Sequence, residues 1–208
     1  QIEQIDKIMD KYDKGAMLVG EGPLTKDLIN ITDTDFKRVS AVSIGIVFVI
    51  ILLLFKSVTI PVILVGVIEF AIFVNMGIPF YTGTKLPFVA SIVIGTIQLG
   101  ATVDYAILMT TRYQRERSRG AGKFDAITTA HKFSAQSIIV SALSFFAATI
   151  GVGLYSNIDM ISSLCILMAR GALISMVVVV LILPSLFMVF DKIIVKTSKG
   201  FRPSGLKS

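Results

Sequence analysis

Asp104 and Tyr105 are the residues of this sequence whose type and position best suit chemistry. They lie in the apolar stretch 87–113, which a cluster of arginines follows. A charged carboxylate at the centre of a bilayer costs about 3 kcal/mol, so such a group is paired, protonated or functional. Because apolar surroundings favour the neutral acid, Asp104 can alternate between charged and neutral forms. We predict that Asp104 carries protons across part of a membrane; the alternative is a polar anchor that is hydrogen-bonded to a neighbouring helix.

Other polar or small residues in the apolar stretches are candidates for supporting Asp104. Tyr105 can donate a hydrogen bond to a second acid, or it can be a packing aromatic. Small residues let helices approach closely, while hydroxyls and amides line a hydrated path or join helices. Glu69 is a second acid, which can carry a proton, contact a substrate or pair with Arg170. Arg170 can instead pair with Asp104, or its side chain can reach the membrane surface. The supporting set is Glu69, Gln98, Gly100, Thr102, Ser141, Ser144 and Arg170.

The sequence lacks the patterns of common catalytic and metal sites. It has one cysteine, Cys165, and one histidine, His131, for which a surface role is expected. Neither a phosphate-binding loop nor a nucleophile triad is present. We therefore expect no enzyme, no metal and no cofactor, with a proton gradient as the energy source.

Composition places these residues in a membrane protein of the all-α class. Hydrophobic residues make up 54% and charged residues 16% of the chain, and the mean hydropathy is +0.80. A soluble domain is about 25% charged. The long apolar blocks predict five spans. These lie at about 39–55, 60–76, 87–113, 137–155 and 164–190, with a loop at 79–86 and a separate cytoplasmic interfacial helix at about 123–136.

Charge divides the chain into three parts. Residues 1–36 hold four lysines and eight acidic residues (net −4), whereas the remainder holds sixteen basic and six acidic residues (net +10). We interpret 1–36, with a short strand at 16–19, as the α/β end of an extracytoplasmic domain in a longer protein. Residues 37–191 are the predicted membrane domain and 192–208 a basic cytoplasmic tail. Basic residues follow span ends, so they indicate orientation in the plasma membrane, with residue 1 outside, rather than nucleic-acid binding.

One segment carries a family resemblance. Gly95-Thr-Ile-Gln-Leu-Gly-Ala-Thr-Val-Asp-Tyr-Ala106, followed by Arg112-Tyr113 and more arginines, resembles the MMPL branch of the RND (resistance–nodulation–division) transporter superfamily. The similarity covers about residues 16–195. It implies two similar halves, each with six spans and an extracytoplasmic porter domain after the first span. This chain would be the last five spans of one half, preceded by the end of its porter domain.

The resemblance also implies a mechanism. Asp-Tyr pairs from the two halves would meet at the bundle centre and couple proton entry to export, with Asp104 as proton carrier and Tyr105 as its hydrogen-bonding neighbour. The expected activity is proton antiport driving efflux of lipids, drugs or other hydrophobic or amphipathic substrates, including peptides. The expected partners are the bilayer, the other half and, for a homo-oligomer, further copies.

Two other functions stay open. The five-span unit, including Gly100-x-x-x-Asp104, also resembles the sterol-sensing domain of Patched-like proteins, so a lipid-binding or sensing module without transport is the alternative. A helical membrane scaffold is the third. Proton-dependent flux separates export from both. Export further requires that protein, and neither lipid tails nor bulk water, covers Asp104.

Overall fold

The computed structural model describes residues 5, 8, 11–12, 18–84, 88–198 and 201. The described residues from 18 onward contain five α-helices, residues 5, 8, 11 and 12 are also helical, and no described residue lies in a strand, which confirms the all-α membrane fold. The helices are α1 (Glu21–Phe55), α2 (Thr59–Thr82), α3 (Phe88–Ser118), α4 (Lys123–Tyr155) and α5 (Asp159–Thr197). Each contains a segment that is long and apolar enough to span a membrane. In α1 that segment is Thr34–Phe55, and in α3 it is Val93–Ser118.

The chain divides into two compact units, Gln1–Val39 and Ser40–Ser208. In the first unit, residues 18 and 19 of the predicted strand are neither strand nor helix, and residues 16 and 17 lie outside the described residues. A helix begins at Glu21. Pro23 is compatible with that helix because it lies in the first turn, where its missing N–H is not needed.

In the second unit, one predicted break is absent and another begins later than predicted. The interfacial helix predicted at 123–136 is the first part of α4, which continues without interruption to Tyr155. Residues 123–150 contain neither glycine nor proline, so no residue favours a helix end there. The loop predicted at 79–86 is helical up to Thr82, and α2 ends at Gly83, which adopts the left-handed conformation with φ 66°.

Two helices also extend beyond the predicted spans. α3 continues past residue 113 to Ser118, and α5 runs from Asp159 to Thr197, so residues 192–197 of the predicted tail are helical. The added turns carry basic residues, which suit the C-terminal end of a helix.

The core of the second unit is built around α5, which packs against α2, α3 and α4. The main apolar cluster includes Phe55 of α1, Leu64 of α2, Tyr113 of α3 and Phe187 of α5. At the other end of the bundle, the α4–α5 hairpin closes tightly at Gly153. A Cβ at this glycine would lie 2.9 Å from Cγ1 of Ile166, so a larger residue would force the helices apart.

A buried carboxylate fastens α3 to α5 at the end of the bundle that carries the arginines. Asp191 is 6% exposed. It accepts hydrogen bonds from the Tyr113 hydroxyl (2.5 Å) and from Nε and Nη2 of Arg117 (3.1 and 3.0 Å). The ring of Tyr113 stacks on that of Phe187, with 5.0 Å between centroids. These contacts fix the rotation of α3 about its own axis relative to α5.

Candidate functional site

Asp104 lies at the middle of α3, sixteen residues after Phe88 and fourteen before Ser118. By helix rise this is about 24 Å and about 21 Å from the two ends. The side chain is exposed on the surface of the chain, and it has no hydrogen bond or ion pair with any described residue. Protein from the described part of this chain therefore does not cover Asp104.

Gly100 lies one turn before Asp104 on the same exposed face of α3. A Cβ at Gly100 would meet no atom within 4 Å outside its own helix. The close helix approach that the sequence predicts at this glycine is therefore not made by the described residues. The residues that the structure describes leave the face of α3 with Gly100 and Asp104 uncovered.

Tyr105 faces a different side of α3, because one residue turns an α-helix by about 100°. It is 7% exposed. With Gln98, Thr102 and Ser175 it lines a cavity of about 10 Å³ between α3 and α5, close to the space that one water molecule needs. Its hydroxyl has no hydrogen-bond partner among the described residues. The structure therefore separates Asp104 and Tyr105 onto two faces of one helix.

A buried polar network joins α2, α3 and α5 behind Asp104. Asn75 of α2 donates through Nδ2 to Oε1 of Gln98 on α3 (2.8 Å) and to the Leu167 carbonyl of α5 (3.2 Å). Nε2 of Gln98 donates to Oγ of Ser175 (3.1 Å), and Oγ1 of Thr102 lies 2.8 Å from the same Ser175 oxygen. Gln98 and Thr102 thus join helices, one of the two roles that the sequence leaves open.

Arg170 completes this network from α5. Its Nε donates to Oδ1 of Asn75 and its Nη2 to the Asn75 carbonyl, both at 2.8 Å. The guanidinium therefore makes two parallel bonds to a neutral residue. In the described residues it forms no ion pair with Glu69 or Asp104, the two partners that the sequence leaves open.

The remaining candidates lie apart from the network. Glu69 is half-buried on α2 and has no hydrogen-bond or salt-bridge partner in the described part of the chain. Ser141 and Ser144 are exposed on α4, on the side that faces away from the other described helices. Of the supporting set, the structure brings together Gln98, Thr102 and Arg170.

Sequence reasoning missed three members of the network: Asn75, Ser175 and Gly171. A Cβ at Gly171 would lie 2.7 Å from Nδ2 of Asn75 and 2.8 Å from Oε1 of Gln98. Asn75 is fully buried at helical spacing from Ile68 and Ile72, which are also buried. That spacing on an apolar stripe is the pattern by which Asn75 could have been found.

Comparisons with known proteins identify the family. The profile of the family described as "MMPL family" matches residues 1–202. This chain belongs to the MMPL family. The resemblance seen in residues 95–106 is thereby confirmed, and the MMPL chain is a multi-pass membrane protein.

Two relatives are similar to this MMPL chain over shorter stretches. YdgH of Bacillus subtilis (strain 168) is 24% identical over 165 residues, which is 72% of this chain and 18% of YdgH. SCO0839 of Streptomyces coelicolor (strain ATCC BAA-471 / A3(2) / M145) is 28% identical over 118 residues, 55% of this chain and 16% of that protein. Both are named as membrane proteins. The matched part of the MMPL chain spans less than a fifth of the length of either relative.

The described residues contain no group of three or more His, Cys, Asp or Glu side chains placed to hold a metal ion. The chemistry available at the site is thus that of isolated carboxyls, hydroxyls and amides.

Proposed function

We propose that this MMPL chain is the membrane part of one half of a proton-driven exporter of the RND type. Asp104 is the proton-carrying group and Tyr105 its neighbour in the relay. One observation carries the proposal: Asp104 lies at mid-helix on a face of α3 that the described part of the chain leaves uncovered. A charged group facing lipid at that depth costs about 3 kcal/mol, so we infer that a second protein surface covers it.

The second half that the family resemblance implies would supply this surface. Gly100 supports the inference because its open side lies one turn from Asp104. Small residues let two membrane helices approach until side chains of one reach polar groups of the other. Ser141 and Ser144 are exposed in the same way on α4 and are available to a helix from outside this chain.

The polar network supports a mechanical role for this half. It joins α2, α3 and α5 on the inner side of α3. A fully hydrogen-bonded buried network stiffens the helices that it connects. We infer that this half moves as one block and that protonation of Asp104 changes the interface with the other half. No cofactor takes part in this cycle.

We also propose that the protein lies in the plasma membrane and that the arginine-rich end of the bundle faces the cytoplasm. The connection at 119–122 and its flanks carry several basic residues, whereas 156–158 at the opposite end carries none. Basic loops remain in the cytoplasm. A fluorescent protein fused to the C-terminus should fold and fluoresce, and a secreted phosphatase fused there should be inactive; an active phosphatase would reverse the orientation.

The test of export is proton-dependent efflux from cells that carry the full-length protein, with Asp104→Asn compared with wild type. The substrate tested should be a hydrophobic or amphipathic dye or lipid, since substrate identity is open. Asp159→Asn is the matched control, because it is the same substitution at an exposed carboxylate at the start of α5. In wild-type cells a protonophore should abolish efflux. We expect Asp104→Asn to abolish the same efflux, with the amount of protein in the membrane unchanged. Asp159→Asn should behave as wild type.

Proton-dependent efflux by Asp104→Asn at the wild-type rate would remove Asp104 from the mechanism. Lipid binding without flux in the wild-type protein would instead support the sterol-sensing-like alternative. If Asp104→Asn lowers the stability of the protein and changes neither efflux nor lipid binding, the scaffold would be favoured.

A further inference from the structure

A cavity of about 340 Å³ lies at the arginine-rich end of the bundle, between the last turns of α3 and the first turns of α4. Three arginines line it: Arg112, Arg115 and Arg119. Their spacing of three and four residues places them on one side of α3 and its continuation. Arg117 does not belong to this group, because it is bound to Asp191.

The cavity carries an excess of positive charge. Glu116 is the acidic residue in its lining, and Oε1 of Glu116 accepts a hydrogen bond from Nη1 of Arg119 at 2.9 Å. Arg112 and Arg115 form no salt bridge with a residue that the structure describes. Two guanidinium groups therefore face this space without an anion.

Arg112 is the most constrained of the three. Its Nε is buried, and in the described part of the chain it has no hydrogen-bond partner. Its guanidinium carbon lies 5.9 Å from the centroid of the Phe133 ring, which holds the charge over an aromatic face. A buried charged donor without an acceptor is costly, so an acceptor that enters the cavity would be bound strongly.

We propose that this cavity binds a phosphate-bearing anion, the headgroup of an anionic phospholipid in the adjacent leaflet. Guanidinium groups bind phosphate through parallel hydrogen bonds. The cavity lies at the end of the membrane-spanning segment Val93–Ser118, at the depth of lipid headgroups. Basic pockets between membrane helices recognise such headgroups, and the volume is that of a small-molecule site.

Two neighbouring residues suit the rest of a lipid. Thr129 lies in the lining, and a threonine hydroxyl can donate to a phosphate oxygen. The ring of Phe133 is 56% exposed beside the cavity, so it offers an apolar surface to the first carbons of an acyl chain. Free phosphate would use the arginines and Thr129 but not Phe133.

The experiment measures lipid retention by native mass spectrometry of the full-length protein released from nanodiscs of phosphatidylglycerol and phosphatidylcholine. The test variant is Arg112→Gln with Arg115→Gln. The matched control is Lys192→Gln with Lys196→Gln. It removes the same charge from exposed positions on α5, at the same end of the bundle. Wild type should retain phosphatidylglycerol over phosphatidylcholine. The arginine variant should lose roughly 30-fold in that preference, and the lysine variant less than about twofold.

A second arm distinguishes the source of the phosphate. Inorganic phosphate is added in a neutral detergent without lipid, and the melting temperature is followed. If inorganic phosphate stabilises the protein through Arg112 and Arg115 while the wild type shows no preference for phosphatidylglycerol, the anion site stands and its assignment to lipid is overturned. Equal loss of phosphatidylglycerol in both double variants, or full retention in the arginine variant, would overturn the site itself. Unchanged phosphatidylcholine retention and a single elution peak show that each variant is folded.

Discussion

Replacement of Gly171 by alanine tests the buried network most directly. The added methyl group would lie 2.7 Å from Nδ2 of Asn75 and 2.8 Å from Oε1 of Gln98. Neither side chain can turn away without loss, since Asn75 also binds Arg170 and Gln98 also binds Ser175. The substitution must therefore displace hydrogen-bonded atoms or push α5 away from α2 and α3.

The expected magnitude follows from three opposing effects. Alanine favours the helix over glycine by about 1 kcal/mol. Overpacking costs about 1–3 kcal/mol, and each hydrogen bond that breaks costs about 1 kcal/mol more. We expect Gly171→Ala to lower the free energy of unfolding by about 1–3 kcal/mol.

The assay is unfolding by sodium dodecyl sulfate in mixed micelles, followed by helical circular dichroism. Gly151→Ala is the control, because a Cβ at this helical glycine would meet no atom within 4 Å. It should leave stability unchanged or raise it by up to about 1 kcal/mol. Gln98→Ala removes the two Gln98 atoms that crowd this position, so combining it with Gly171→Ala should cost less than the two single changes added together. The geometry would be refuted if Gly171→Ala were as stable as Gly151→Ala.

Three further changes use the same assay. Asp191→Ala removes the carboxylate that Arg117 binds and leaves Arg117 the Ala121 carbonyl as its acceptor, so it should cost about 3 kcal/mol, the low end for a broken buried pair, since 18% of the Arg117 side chain is exposed. Tyr113→Phe keeps the stacked ring and loses one hydrogen bond to a charged acceptor, so it should cost about 1.5 kcal/mol. A larger loss of stability than for Asp191→Ala would contradict the contacts described for Asp191. Arg170→Lys cannot make both bonds to Asn75 and should cost about 1–2 kcal/mol, so wild-type stability would count against the network.

The fold class follows from sequence because a span needs about 20 apolar residues in a row. Helix ends follow less well. The loop predicted at 79–86 relied on Pro79 and Gly83; the helix accommodates the proline within its last turn and ends at the glycine. The break predicted near 136 relied on the amphipathic pattern of 123–136, and an amphipathic pattern does not end a helix that no glycine or proline interrupts. Composition therefore sets the number of spans, while their ends depend on backbone capping.

The site shows the same division between local and tertiary information. An acid in the middle of an apolar stretch is visible in sequence, so Asp104 could be singled out. The partner of Arg170 could not, because charge suggests a carboxylate whereas the structure provides the amide of Asn75, 95 residues away. Which polar groups meet depends on the rotation of each helix about its axis, and packing at residues such as Gly171 and Asp191 decides that rotation.

The two faces of α3 pose different physical problems. On the inner face, Gln98 and Thr102 find hydrogen-bond partners among the described residues, so these two side chains hold helices together. On the outer face, Asp104 has no partner among the described residues, and Gly100 beside it has open space. Contact between lipid tails and an acid in the middle of a membrane helix is unfavourable. The open space beside Gly100 allows a second helix to pack there and cover the acid. The residues that the chain leaves unsatisfied, rather than those it satisfies, are therefore the ones to examine for proton transfer.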